Sequence, residues 1–419
     1  MKIFKRFSKL IGPGVITGIA DDDPSGIATY SQTGAMFGLS QLWLALYCYP
    51  FMVAIQEMCG RIGMVTGKGL AGVIKSNYTR PVLYFSVFLL ILANTVNIGA
   101  DLGAMAESLR LITPLSFGLS LILILSFTIF GTVFIPYTTY VKVLKWLALS
   151  VGAYIITALL IRHDWGLIVK ALLIPHIEWN KEFIFNVMAM LGTTISPYLF
   201  FWQATQEVEE EVAHKKMRFF GRGVPKINNK DLKEMRKDTL IGMGVSNLVT
   251  FFIIITSASA LHDSGITGIA SATQMATALE PLLGPFALTI FCIGILGTGL
   301  LAVPVLAGSL GYAVAESFGS TEGLARKFKE ARGFYGVIIA ALIVGALINL
   351  FNIDPIALLY YSAAANGMLA APLMVLILLI ANNKKILGDK TNGRLSNVLG
   401  WTITAIMGGM AVLTIVSFI

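Results

Sequence analysis

The chain has 419 residues, of which 56% are hydrophobic and 13% charged, with a formal net charge of +8 and a mean hydropathy of +0.77. A soluble domain carries about 25% charge, so composition excludes an ordinary water-soluble domain and places the sequence among proteins that cross a membrane many times. The positive excess invites a nucleic-acid reading, but its distribution along the chain removes it.

A membrane span needs about 20 apolar residues. Taken in order, such runs lie near 11–38, 41–63, 82–112, 115–135, 143–161, 183–205, 239–261, 283–318, 333–351, 355–382 and 396–418. These eleven spans are read as one transmembrane domain over 1–419: five spans over 11–161, five over 183–382, and an eleventh over 396–418. With the N-terminus inside, 27 of the 31 Lys and Arg fall in inner segments, leaving Arg110, Arg162, Lys170 and Lys181 outside. That asymmetry is the positive-inside signature rather than a groove-binding face. It predicts a cytoplasmic N-terminus and an external C-terminus. The opening "MKIFKRFSK" reads as a basic cytoplasmic flank without a signal-peptide cleavage site, and a prokaryotic plasma (inner) membrane is expected. Cys48, Cys59 and Cys292 have apolar neighbours and no CxxC spacing, so they read as buried structural thiols.

Two spans carry helix breakers. The first contains "DDDPSG", with Asp21, Asp22 and Asp23 running into Pro24, Ser25 and Gly26; unwinding is expected there, and Pro24 to Gly26 are expected to release backbone groups. The sixth contains "MLGTTISPYLFFWQ", where Gly192, two threonines, Ser196 and Pro197 interrupt an apolar helix. Irregular backbone at membrane depth is tolerated only where it is buried in protein or lines a cavity. A carboxylate inside a span costs about 2.5–3.5 kcal/mol on insertion scales and is usually functional. Breaks in spans one and six fit two five-span halves, the inverted-repeat design of secondary transporters. Carboxylates, hydroxyls and carbonyls are hard oxygen donors, so the expected occupant is a cation.

These motifs resemble the natural-resistance-associated macrophage protein (Nramp) family of divalent-metal transporters. "GPGVITGIADDDPSGIAT" is similar to the family's first span with its Asp-Pro-Gly-Asn motif, "RIGMVTGKGLA" to the segment after span two, "GADLGAMAESL" to span three and "GTTISPYLFFWQ" to span six. The resemblance is tightest over about the first 205 residues. It implies an all-α polytopic protein with the broken-helix inverted repeat of the amino-acid transporter LeuT. It also implies a metal site at Asp23, with Gly26 in place of the motif's Asn, Thr193 at the carbonyl position and Ser196 where the family has a Met thioether. Tyr198 replaces a His; Asp101 matches a proton-route Asp, and the Glu that should follow is Ala104. Loss of the thioether removes a preference for soft ions, and loss of titratable groups thins a proton route. The pattern resembles the family's magnesium-transporting branch, which takes a hydrated ion without proton coupling; a proton-coupled Mn²⁺ or Fe²⁺ transporter and an aluminium-transporting branch are the rivals within the family.

Further candidates stand nearby. Asp22 is a further metal-site candidate, expected to point away from Asp23 because adjacent helical residues differ by about 100° and so to support the site or line its vestibule, and Asp21 is expected to cap the first half-helix. Gln203 lies seven residues after Ser196, on roughly the same face, as a metal candidate or a bundle contact. Asn366 is an intramembrane amide of span ten. Glu57 and Arg61 are one turn apart, as an ion pair or gate, and Glu107 and Arg110 are expected to pair. The segment 206–238, acidic at "QEVEEE" and then basic, is expected to be a solvated extension with a surface loop; an acidic, metal-attracting vestibule is the alternative. A LeuT-fold symporter of a small organic substrate and an intramembrane aspartyl protease using Asp23 and Asp101 are the other classes. No P-loop, dinucleotide fingerprint or Ser/His pairing is present. No enzyme activity, cofactor, nucleic acid or obligatory protein partner is expected; the partners are a divalent cation, Mg²⁺ or Mn²⁺, as cargo and the lipid bilayer.

Overall fold

A computed structural model describes residues 12–135 and 151–418, apart from positions 162, 222, 224 and 352. The basic residues at 2, 5, 6, 9, 142, 145, 162 and 222, and the start of the expected fifth span, lie outside the described residues.

The first span is two helices, α1 (Pro13–Asp21) and α2 (Pro24–Phe37). Span two is α3 (Trp43–Thr66), followed by the short α4 (Leu70–Asn77). Spans three and four are α5 (Arg80–Ile112) and α6 (Phe117–Phe134). The described part of span five is α7 (Gly152–Leu160), and α8 (Trp165–Leu173) follows. Span six is again split, into α9 (Lys181–Thr194) and α10 (Pro197–Ala213). Span seven is α11 (Asn229–Ala260). The short α12 (Ala272–Thr277) and α13 (Glu280–Leu283) lead to span eight, α14 (Ala287–Phe318). Spans nine and ten are α15 (Arg332–Ile348) and α16 (Pro355–Ala381). The short α17 (Lys384–Leu387) precedes the eleventh span, α18 (Arg394–Phe418).

Eight helical stretches among the described residues are long and apolar enough to cross a membrane. The first span falls short of that description because it is cut in two. The second carries Gln56, Glu57 and Arg61, and the fifth is only partly described. Phe85 and Phe88 on α5 and Phe127, Phe130 and Phe134 on α6 stand exposed, the pattern of side chains that meet lipid rather than water.

Both breaks are narrower than the sequence suggests. In the first, only Asp22 (ψ 53°) and Asp23 (ψ 171°) leave helical geometry, and Pro24, Ser25 and Gly26 form the first turn of α2. In the second, the departures are Ile195 (ψ 64°) and Ser196 (ψ 137°), and Pro197 opens α10. Proline at a helix's first position has no N–H to waste and a φ already suited to the helix. Each proline therefore starts the second half and does not unwind it, which corrects the expectation that Pro24 to Gly26 are unwound.

The expected loop 206–238 also shrinks. Helix α10 continues to Ala213, and α11 begins at Asn229, fixed by a capping box in which Asn228 accepts from Asp231 N and Asp231 from Asn228 N. Nor is the acidic run a solvated extension: Glu207 and Glu211 are buried, and Glu209 Oε1 accepts from Tyr312 Oη on α14 at 2.8 Å.

Helix α11 lies along both halves of the first span and along α3, while α5 is flanked by α14, α15 and α16; α9 packs on α16 and α10 on α3. The α1–α11 crossing depends on glycine. A β-carbon on Gly18 would fall on the backbone of Gly242, and one on Gly242 on that of Gly14. Cys48, Cys59 and Cys292 are buried free thiols. Replacing Gly18 by Val should cost about 1–3 kcal/mol by overpacking, read as a lower thermal unfolding midpoint in detergent. Gly408→Ala, where a β-carbon meets nothing within 4 Å, should leave the midpoint in place.

Candidate functional site

Asp23 is the N-cap of α2, and its carboxylate serves two elements at once. Oδ1 accepts from Gly26 N and from Ser25 Oγ, each at 2.7 Å, which ties down the exposed end of the half-helix. Oδ2 accepts from Asn97 Nδ2 on α5 at 2.9 Å. Asn97 Oδ1 in turn lies 3.1 Å from Ser362 Oγ and 3.3 Å from Asn366 Nδ2, both on α16. Asp23 is thereby linked to spans three and ten, and Asn366 is brought into its network through Asn97. Sequence reasoning missed Asn97; the available signal was an intramembrane amide one helical turn before Asp101, on the same face.

The two breaks face each other. Tyr198 Oη, in the first turn of α10, donates to the Ala20 carbonyl near the end of α1 at 2.9 Å. A β-carbon on Gly26 would lie 3.3 Å from Thr193 Oγ1 and 3.3 Å from the Asp21 carbonyl oxygen. Glycine at the position of the family's Asn thus lets the halves close. Ser196 is buried, and its Oγ is within 2.8 Å of the Gly192 carbonyl oxygen and 2.9 Å of that of Thr193. Its proton goes back onto the end of α9, and its lone pairs remain for a cation or water. Asp101, fully buried, faces the Ser25 backbone N–H and the Asp23 charge, yet neither carboxylate oxygen has a hydrogen bond of ordinary geometry.

Asp22 does point away from Asp23, as expected, towards α11: Ser246 Oγ lies 2.6 Å from Asp21 Oδ2 and 3.2 Å from Asp22 Oδ1. Asp21 does not cap α1. It is that helix's last residue, where the helix dipole is negative and repels a carboxylate, so the side chain turns to α11.

Two sequence candidates belong elsewhere. Gln203 Oε1 accepts from Thr17 Oγ1 at 2.7 Å and its Nε2 donates to Glu207 Oε1 at 2.8 Å. It joins α1 to α10, and its amide is spent on that bundle contact. Glu57 is held by Arg61 (3.0 Å) and by Arg236 of α11 (2.7 Å), while Arg61 Nη1 donates to the Lys390 carbonyl at 2.6 Å. This is a buried ion-pair lock between α3, α11 and the segment after α17, distant in the hydrogen-bond network from Asp23. Glu107 and Arg110 pair at 2.6 Å on α5, as expected.

The profile of the family described as natural resistance-associated macrophage protein-like matches residues 14–417. The chain belongs to the Nramp family. Its curated relatives include the divalent metal cation transporter MntH of Klebsiella pneumoniae subsp. pneumoniae, 28% identical over 413 residues, covering 95% of this chain and 91% of the relative. Among solved structures, the Eremococcus coleocola manganese transporter superposes with a TM-score of 0.70 at 15% identity, covering 96% of this chain and 85% of that one. MhsT in complex with L-phenylalanine superposes at 0.62 with 10% identity, covering 97% and 98%. At such identities the structures speak for the fold alone. The Nramp chain described here is thus an integral membrane protein of the LeuT-like inverted-repeat fold, with discontinuous spans one and six; Nramp proteins are transporters and not enzymes.

In this Nramp chain, Asn97→Leu should leave Asp23 Oδ2 without its amide donor and should destabilise by about 1–3 kcal/mol, measured by thermal unfolding in detergent. Glu57→Ala strands the buried Arg61 and should cost about 3–5 kcal/mol in the same assay.

Proposed function

We propose that this chain imports divalent metal cations, with Mg²⁺ as the principal cargo and Mn²⁺ as a second, largely hydrated and with weak or no proton coupling. The site proposed for the cargo is Asp23 with Thr193, Ser196, Asn366 and the backbone released at the two breaks; Gly26 lets the breaks approach each other there and Asn97 orients Asp23. The observation that carries this reading is the buried Asp23 carboxylate at the meeting of the breaks, beside a hydroxyl, Ser196, where the resemblance implies a thioether. Carboxylate, hydroxyl, amide and carbonyl oxygens suit a hard ion, and Mg²⁺ keeps several waters because it dehydrates reluctantly. Tyr198, in place of a His, is spent on the Ala20 carbonyl, which supports weak proton coupling; Asp101 is the titratable group left beside Asp23. The second reading is proton-coupled Mn²⁺ transport, favoured by the relatives that carry the MntH and manganese-transporter names.

The ion is cargo, and no cofactor or protein partner is proposed. The Lys and Arg asymmetry supports an N-terminus on the cytoplasmic side of a prokaryotic inner membrane.

In proteoliposomes, Asp23→Asn should reduce divalent-cation uptake to the protein-free background while the protein stays monodisperse. Uptake at the wild-type rate would remove Asp23 from the path. Ser196→Met should raise the Mn²⁺-to-Mg²⁺ uptake ratio by about tenfold, about 1.4 kcal/mol; an unmoved ratio would remove Ser196 from the selectivity argument.

A further inference from the structure

The pair of carboxylates on the α11 side of the first break is left unexplained by the site at Asp23. Asp21 and Asp22 are 0% and 6% exposed, and they share one hydrogen-bond donor, the Ser246 hydroxyl. A hydroxyl has a single proton, so it can satisfy only one of the two. Asp21 Oδ1 is buried with no partner at all. The Tyr30 hydroxyl, on α2, is also buried without a hydrogen bond of ordinary geometry; Thr250 on α11 is its nearby side-chain partner, and the hydroxyl lies within the electrostatic reach of both carboxylates. Among the described residues no Lys, Arg or His pairs with Asp21 or Asp22. A buried carboxylate stays ionised only when paired, hydrogen-bonded or bound to a metal, and here the protein supplies too few donors for two.

We infer that Asp21, Asp22, Ser246 and Tyr30 form a second cation seat, separate from Asp23, for a small hard cation, Na⁺ or Mg²⁺. The donors are all oxygen: two carboxylates, the lone pairs of the Ser246 and Tyr30 hydroxyls, and the backbone that leaves α1 at Asp22. That set suits a hard ion and offers nothing to a soft one. The seat joins both halves of the first span to span seven, so its occupant neutralises the mutual repulsion of Asp21 and Asp22 where α1, α2 and α11 meet. Because the seat shares no side chain with the Asp23 site, it does not depend on which ion is transported there.

The test is cation binding to the purified full-length chain in detergent, by isothermal titration with MgCl₂ and separately with NaCl, choline chloride balancing ionic strength. Wild type should bind two hard cations per chain, either two Mg²⁺ or one Mg²⁺ and one Na⁺; the titrations tell which. Asp21→Asn, Ser246→Ala and Tyr30→Phe should each weaken one of the two by about tenfold or more, equal to about 1.4 kcal/mol. Asp23→Asn should remove the other and leave this one. Should Asp21→Asn not give monodisperse protein, Tyr30→Phe reads the same seat, since it removes one oxygen donor and leaves both carboxylates in place. A single cation per chain that Asp23→Asn removes and the three substitutions leave in place, no binding at all, or two cations indifferent to all three substitutions would overturn the inference. A cation lost with Asp21→Asn but none with Asp23→Asn would sustain it and overturn the transport site instead.

Discussion

A helix interrupted inside a bilayer frees backbone groups that water cannot reach, and the interruption survives only if the protein supplies partners. In this chain the partners come largely from the other interrupted helix and from the aspartates themselves. Tyr198 of span six satisfies the Ala20 carbonyl of span one, and Asp23 satisfies the Gly26 N–H at the head of α2. Each break therefore helps to make the other tolerable, and the close approach of Gly26 to Thr193 follows from it.

The same arrangement sets the chemistry. Asp23 cannot be both the cap of α2 and a fully committed ion ligand unless its remaining lone pairs face open space. Asn97 holds one of its oxygens and passes the contact on to α16. An ion arriving at Asp23 would thus be sensed by spans one, three and ten together. On the opposite side of the break, Asp21 and Asp22 look to α11. The three consecutive aspartates divide between two faces because backbone direction turns sharply at Asp22.

Much of this was legible in the sequence, for physical reasons. Pro24 and Pro197 mark the breaks because proline starts helices and cannot sit inside them without cost; the sequence could not say that only two residues would unwind at each. The run of aspartates announces a site because intramembrane charge is costly. Asn97 was missed, since an intramembrane amide, like Asn94 one turn earlier, reads as a packing residue until its partner is known. Helical spacing placed Gln203 on the right face but gave direction without distance, and Thr17 on α1 was nearer than any ion site. The acidic run at 206–211 was misread as solvated because Tyr312, which partners Glu209, lies about a hundred residues away in the chain.

The central claim is that a hard, oxygen-lined site at the paired breaks carries a hydrated divalent ion without a proton. Its most direct test is wild-type protein in liposomes, with Mg²⁺ and Mn²⁺ offered separately and an internal pH dye in the same vesicles. The account predicts Mg²⁺ entry without acidification of the lumen. Mn²⁺ entry with acidification, and no entry of Mg²⁺, would contradict it and leave ordinary proton-coupled transport operating through a site that has lost its thioether.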